Sequence, residues 1–303
     1  MAKKSILHML DPMPHNSPFD INMAMDAGFD VLMPYSNVKI DSVHGLVQDA
    51  IFSRGPQGIK QTSIFLGGRD LALAMDMLMK CKQAMVPPFE VSVLADPSGA
   101  FTTAAALVAC VEQQLKQKHQ QSLQGSTAVV FGGTGPVGIA TGIIASLEGA
   151  DTILVDHLSI DTANDIAKEY NRRFHCNLRG GVANSNAEKI NLIENVDLIF
   201  STAKAGIQVL NAEVLQHAKQ LKVAGDVNAV PPSGIEGVKS KFMGEPLVTA
   251  PNAKNAVAVG SLAAGNIKYR CQQELLKLML ETDHPVYLDF RSAFNKAREL
   301  LNN

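Results

Sequence analysis

The sequence predicts an α/β protein built on parallel sheets, and three observations carry that prediction. Strand-like apolar runs alternate with helix-like runs along most of the 303 residues, the pattern that places helices on the faces of a parallel sheet. The alternation restarts after Gly125, so two α/β domains are expected. At the head of the second series an apolar run at 129–131 enters the glycine-rich turn Gly133-Thr134-Gly135-Pro136-Val137-Gly138, and an apolar helical run follows. Residues 1–124 are assigned to a first domain and 125–261 to a second. The final helices, within 262–303, are expected to pack back on the first.

The elements follow in order. Residues 5–10, SILHML, read as a strand. Residues 17–28 read as a helix, with Ser17 as N-cap, Pro18 at the first helical position and Gly28 as the stop. DVLMPY at 30–35 is a second strand. In 41–52, Val43, Leu46, Val47, Ala50 and Ile51 share one helical face. TSIFLGG at 62–68 is a strand ending in glycines. Residues 69–85 are a helix broken by the PPF at 87–89, and the strand in 90–99 carries Asp96 at its carboxyl end. A long helix at 102–121 closes the series. The second series has strands at 127–132, 151–156, 197–203 and 221–227, with helices at 136–149, 161–174 and 211–220. Two further helices, at 260–280 and 287–301, end the chain.

Composition narrows the function. Apolar residues make up 46% and charged residues 18%, enough for a sizeable core and against disorder. A net charge of −2, aromatics at 5% and no tryptophan give no basic surface and few stacking platforms, so no nucleic-acid partner is expected. Cys81, Cys110, Cys176 and Cys271 have no CxxC spacing, which argues against a metal site or redox pair and for a reducing compartment. No stretch approaches the roughly 20 apolar residues of a membrane span. The basic start is followed by a short apolar run that meets Asp11 and Pro12, so a strand is expected there and not a secretory signal. A soluble cytoplasmic protein is the expectation.

Gly133 to Gly138 match G-x-G-x-x-G after a strand and before a helix, the context the mechanism requires. The first glycine permits the tight turn, the second lets backbone approach a pyrophosphate, and the third lets helix and strand pack closely. N–H groups at the helix start meet the phosphates, and Pro136 near that start loses little by lacking one. Asp156 ends the next strand, about 20 residues on, where a carboxylate accepts from ribose hydroxyls and repels a 2′-phosphate. Charge alone therefore favours NAD over NADP. The plainer alternative is a glycine-rich βα turn that binds nothing, with Asp156 capping a helix.

A ligand crevice in such a sheet lies at the carboxyl ends of the strands. The candidates there are Asp20, Asp96, Ser98, Thr102, Thr103, Asp226, Asn228 and Lys268. Most have a second reading. Asp20 follows Ser17 by three residues and so fits a capping box; one carboxylate can serve as both cap and substrate contact. Asp96 before Pro97 suits a turn, Thr102 and Thr103 suit helix caps, and Lys268 suits a solvated helix face. No Ser/His/Asp set or metal cluster has recognisable spacing, so hydride transfer carried by a cofactor is the expected chemistry.

The segments SILHML, SPFDINMAMDAGF, IFSRGPQ, VPPF, ADPSGAFTT, DVNAVPPSGIEG and AAGNIKYRCQ together resemble the bacterial methylene-tetrahydromethanopterin dehydrogenases, over nearly the whole chain. The resemblance is closest to the form that accepts both NAD and NADP. It implies a pterin-binding N-terminal α/β domain, a Rossmann domain and a cleft between them. It implies oxidation of a methylene bridge between two pterin nitrogens to a methenyl cation, a step of formaldehyde oxidation in methylotrophs. It also implies a homo-oligomer, with a trimer among the expected forms. Carried over, Gly133, Thr134, Gly135, Pro136, Val137 and Gly138 hold the pyrophosphate, Asp156 and His157 flank the ribose, and Ala203 and Asn228 also meet the cofactor. Asp20 and Lys268 match polar cleft positions and take the catalytic roles, with Asp96, Ser98, Thr102 and Thr103 towards the substrate. The NADP-restricted relative has basic residues just after the second Rossmann strand; here Asp156-His157-Leu158 stands there. Alternatives on the same scaffold are a methylenetetrahydrofolate dehydrogenase, a shikimate-like dehydrogenase and a non-catalytic NAD-binding sensor.

Overall fold

In a computed structural model that describes residues 3–302, the chain divides into two units. Residues through Thr102 join Tyr269–Lys296 in one, and Thr103–Lys268 join residues from Ala297 onward in the other. The first unit begins with β1 (Ile6–Leu10), α1 (Pro18–Asp26), β2 (Val31–Tyr35), α2 (Ile40–Phe52), α3 (Pro56–Ile59), β3 (Thr62–Leu66), α4 (Leu71–Ala84) and β4 (Ser92–Ala95). Helix α5 (Ala100–His119) leads into the second unit. There follow β5 (Thr127–Phe131), α6 (Pro136–Leu147), β6 (Asp151–Asp156), α7 (Ile160–Phe174), β7 (Leu178–Val182), α8 (Asn186–Ile193), β8 (Leu198–Ser201), α9 (Ala212–Leu215), β9 (Val223–Asp226), β10 (Met243–Pro246) and β11 (Val257–Val259). The tail is α10 (Ser261–Glu281), β12 (Tyr287–Leu288) and α11 (Phe290–Asn302).

The first sheet has the order β12-β4-β3-β1-β2, with every pairing parallel. Strand order reverses between β1 and β3, so the carboxyl ends there form a topological switch point. Every residue of β3 and β4 is buried, as expected of central strands covered on both faces. Pro34 lies in β2, an edge strand whose outer side lacks a ladder partner. The expected terminal helix begins at Phe290, not residue 287, because Tyr287 and Leu288 pair with Val93 and Leu94.

The second sheet has the order β10-β11-β9-β8-β5-β6-β7. Only the β10–β11 pair is antiparallel. Counting its parallel strands in chain order, the third, second and first are followed by the fourth, fifth and sixth, the doubly wound arrangement of dinucleotide-binding domains. Val129 and Phe131 of β5, Ile199 of β8 and Ala224 of β9 join Val214, Leu215 and Leu221 in one buried cluster on this sheet.

Apolar patterning does not reveal β7, α8, β10 or β11. Strand β7 is LRGGV; a side chain on Gly180 would meet the Asn164 backbone nitrogen at 2.5 Å, so the close approach of α7 demands the residue that hides the strand. Helix α9 is shorter than the 211–220 periodicity predicts. Asn211 caps it by accepting the Val214 N–H at 2.9 Å, but the Lys219 N–H donates to the Glu194 carbonyl and turns the chain away.

Residues 103–124 group with the second unit, which differs from a boundary at 124. The cause is packing: Leu107 and Val111 of α5 lie over Gly225 of β9, each 2.8 Å from where a Cβ would stand. Residues 262–268 and those from 297 also fall in the second unit, so the tail is shared between the two. Arg298 of α11 donates to both oxygens of Glu112 at 2.6 and 2.5 Å, and to Glu148 at 2.6 Å. The two carboxylates hold its guanidinium charged. Arg298→Ala is expected to cost about 1 kcal/mol, since the network is half-buried and bidentate; a fall in the thermal midpoint that 1 M salt largely erases checks it. No described helix is long and apolar enough to cross a membrane.

Candidate functional site

The glycine turn lies at the carboxyl end of β5, next to β8, where strand order reverses in the second sheet. Gly132 has φ +70° and packs against the backbone of Ala203 at the end of β8: a Cβ there would meet the Ala203 nitrogen at 2.6 Å. Gly133 is pressed against Val130, Leu154 and Val155 backbone, and Gly138 against the Gly132 carbonyl. Gly135 differs. A Cβ on it would meet only the Gly132 oxygen, at 3.5 Å, so its open side leaves room for a ligand. It is also the N-cap of α6, with Pro136 next and no side chain capping the helix. A helix start without a side-chain cap, beneath an open glycine, fits a pyrophosphate. Val137 and Thr134 complete the turn, both half-buried.

Asp156, at the end of β6, is tightly held. Its Oδ1 accepts the Leu158 and Ser159 N–H groups at 2.8 and 2.9 Å, and its Oδ2 accepts the Thr134 hydroxyl at 2.6 Å. Burial raises its pKa, but these three donors and the neighbouring His157 outweigh burial and hold it below the ordinary value. His157 is exposed.

Asn228 follows β9. Its side-chain oxygen accepts from Gly206 and Val230 N–H groups at 3.0 Å each, and its amide donates to the Pro232 carbonyl at 2.8 Å. It organises two loops at the sheet's carboxyl end. Asp226 accepts from the Asn228 and Ile235 N–H groups; burial pushes its pKa up, and those N–H groups only partly offset this. A cavity of about 280 Å³ opens beside both, lined also by Ser240 and Ser261. The buried Ser261 hydroxyl, at the start of α10, has no hydrogen-bond partner. Nothing in the sequence singles Ser261 out.

In the first unit, Asp20 is 5% exposed. Its Oδ1 accepts the Gln272 amide of α10 at 2.7 Å, while its backbone N–H donates to Ser17 Oγ at 3.4 Å. Ser17 therefore caps α1, and the Asp20 carboxylate engages a second helix. Asp96 is fully buried and accepts from the Phe101 and Thr102 N–H groups and, at 2.6 Å, from the Thr102 hydroxyl. Asp96 and Thr102 are thus brought together as the start of α5. Ser98, exposed and left-handed at φ 53°, donates to the Gly68 carbonyl at 2.8 Å. Thr103 on α5 and Lys268 on α10 are half-buried. Asp11, which the sequence marks only as a strand terminator, is 6% exposed at the end of β1 and accepts the Met13 N–H at 2.7 Å. Among the described residues, no group of three or more His, Cys, Asp or Glu could hold a metal ion.

A family profile described as methylene-tetrahydromethanopterin dehydrogenase, N-terminal, matches residues 18–98. The NAD(P)-dependent methylenetetrahydromethanopterin dehydrogenase of Methylorubrum extorquens is 45% identical over 98% of this chain and 99% of its own. The chain belongs to the methylene-tetrahydromethanopterin dehydrogenase family. A second relative from that organism, the bifunctional protein MdtA, is 29% identical over 99% of this chain and all of its own. Among solved structures, the malic enzyme of Pyrococcus horikoshii has a TM-score of 0.55 at 11% identity, over 99% of this chain and 77% of that one. Shikimate 5-dehydrogenase of Listeria monocytogenes has 0.51 at 12%, over 98% and 96%. These two likenesses concern the fold alone.

Proposed function

We infer that this protein is an oxidoreductase that passes a hydride from methylene-tetrahydromethanopterin to NAD or NADP, leaving methenyl-tetrahydromethanopterin, within one-carbon (formaldehyde) oxidation. The observation that carries the reading is 45% identity along essentially the whole length of a dehydrogenase of that name. The open face of Gly135 at the uncapped start of α6 supports it independently. Bound nicotinamide supplies the hydride acceptor.

The chain's own work is positioning and electrostatics. The carbon that loses hydride sits between two nitrogens whose lone pairs stabilise the developing cation, and no proton leaves with the hydride, so no general base is required. Holding donor and acceptor carbons about 3–3.5 Å apart supplies most of the acceleration. Asp20 favours the growing positive charge. Lys268 bonds a pterin or linker oxygen, because an ammonium beside the reacting carbon would oppose the cation. Gly133 to Gly138 hold the pyrophosphate, Asp156 the ribose, and Ala203 and Asn228 border the cofactor. Ser98 and Thr103 face the substrate, and Asp96 with Thr102 supports them by fixing the start of α5. Buried thiols such as Cys81 and Cys110, pushed up to about 12 by burial, suit a reducing cytoplasm. We propose a homo-oligomer, whose subunit count light scattering on the purified protein gives.

The test is spectrophotometric: methylene-tetrahydromethanopterin and methylene-tetrahydrofolate, each with NAD and with NADP. Reduced nicotinamide is expected with the methanopterin substrate. Comparable turnover on the folate would move the protein to the folate dehydrogenases. Dinucleotide binding with no turnover on either would make it a sensor.

A further inference from the structure

An ionised carboxylate has about four acceptor positions, two on each oxygen. At Asp156 the Leu158 and Ser159 N–H groups fill both positions on Oδ1, and the Thr134 hydroxyl takes one of the two on Oδ2. One position remains. A ribose with free 2′ and 3′ hydroxyls can donate twice to an unencumbered carboxylate, and that paired contact is what separates NAD from a 2′-phosphorylated dinucleotide. Here the count allows one such bond. Three donors also draw on the carboxylate's charge, which softens its repulsion of a phosphate.

We propose that Thr134 is a specificity-determining positioning residue: its hydroxyl occupies Asp156 Oδ2, leaves the ribose a single acceptor position, and so keeps the preference for NAD over NADP weak. This rests on the reading that the dinucleotide lies over the glycine turn. The contact is held in place on both sides. Thr134 stands between Gly133 and Gly135, whose backbone is pinned by the Gly133 N–H to the Val155 carbonyl and the Gly135 N–H to the Gly132 carbonyl. Asp156 is pinned by the backbone leading into α7. The backbone of the turn and the Asp156 carboxylate are thus both held where the 2.6 Å hydroxyl bond is made. Nothing in the separation of the two residues along the chain announces the pairing, and a threonine between two loop glycines ordinarily reads as a phosphate contact.

The experiment measures the dissociation constants of NAD and NADP by calorimetry for the full-length wild type and for Thr134→Val, Thr134→Ala and Thr134→Ser. Removing the hydroxyl returns one acceptor position to the ribose. The ratio of the NADP to the NAD dissociation constant is therefore expected to rise about tenfold in Thr134→Val and Thr134→Ala, the worth of one hydrogen bond to a charged group. Thr134→Ser retains the hydroxyl and keeps the wild-type ratio. A purely structural role for Thr134 would weaken both dinucleotides together and leave the ratio alone. A ratio that stays within about twofold of wild type in the variants lacking the hydroxyl, or that moves towards NADP, overturns the inference while leaving the dinucleotide reading intact. A wild type that binds neither dinucleotide overturns the reading itself. Circular dichroism establishes that each variant is folded; should valine distort the turn, the smaller alanine decides.

Discussion

Gly138→Ala is expected to destabilise the protein by about 3 kcal/mol and to reduce NAD affinity at least about 100-fold. The added methyl would stand 2.2 Å from the Gly132 carbonyl oxygen, 2.7 Å from Gly133 Cα and 2.8 Å from Thr202 Oγ1. Two of these are backbone atoms of the turn itself. Thr202 is committed as well, through its hydroxyl bond to the Phe131 carbonyl at 2.9 Å. The only relief is for α6 to draw back from β5, which moves the helix start away from any phosphate. Gly135→Ala is the contrasting variant. Its methyl makes ordinary contact at 3.5 Å, and its backbone, φ −83° and ψ 165°, suits any residue. Its stability is expected to stay within about 0.5 kcal/mol of wild type, yet NAD affinity is expected to fall about tenfold, because the methyl takes the space the pyrophosphate needs. Thermal melts and calorimetry on the two proteins separate fold from binding. A Gly135→Ala protein with full affinity would place the diphosphate elsewhere.

The contrast between these two glycines marks what the sequence makes legible. Spacing alone assigns the three roles of the G-x-G-x-x-G turn, and the structure shows the middle glycine open while its neighbours are crowded. Strands β1, β3, β5 and β6 are apolar enough to be read directly. Strands β11 and β12, three and two residues long, have too little chain to carry a pattern; they exist because a formed neighbour offers a free edge. Helix α8 starts at a capping box of Ser185 and Glu188, a signal that the apolar pattern does not carry. The site divides in the same way. Asp96 and Thr102 lie six residues apart, within reach of local reasoning about helix starts. The bond between Thr134 and Asp156 spans 22 residues, and that between Asp20 and Gln272 spans 252. Such contacts depend on how strands order themselves and where a distant helix docks, and single-chain periodicity holds no record of either.

The Asp20–Gln272 contact supports the second large prediction, that Asp20→Asn lowers kcat about 100-fold or more while NAD affinity is unchanged. Two roles compete for this carboxylate, helix cap and stabiliser of positive charge. Ser17 already caps α1 by accepting the Asp20 backbone N–H, a bond any residue at position 20 preserves. The carboxylate instead accepts the Gln272 amide at 2.7 Å, and Gln272 is fully buried. An asparagine at position 20 is isosteric and its carbonyl can still accept from Gln272, so the interhelical bond is kept while the charge is lost and one acceptor oxygen becomes an amide donor. A buried charge facing a developing cation contributes about 3 kcal/mol or more to the barrier, the scale of one preorganised electrostatic contact. Asp20→Ala removes the acceptor too. It leaves the buried Gln272 amide without this partner, so it is expected to lower stability by about 1–3 kcal/mol in addition. Steady-state kinetics with saturating NAD, read beside thermal melts, distinguish the roles. If Asp20→Asn turns over at the wild-type rate while Asp20→Ala melts early, the carboxylate is a tether between helices and the cation is stabilised by the pterin nitrogens alone.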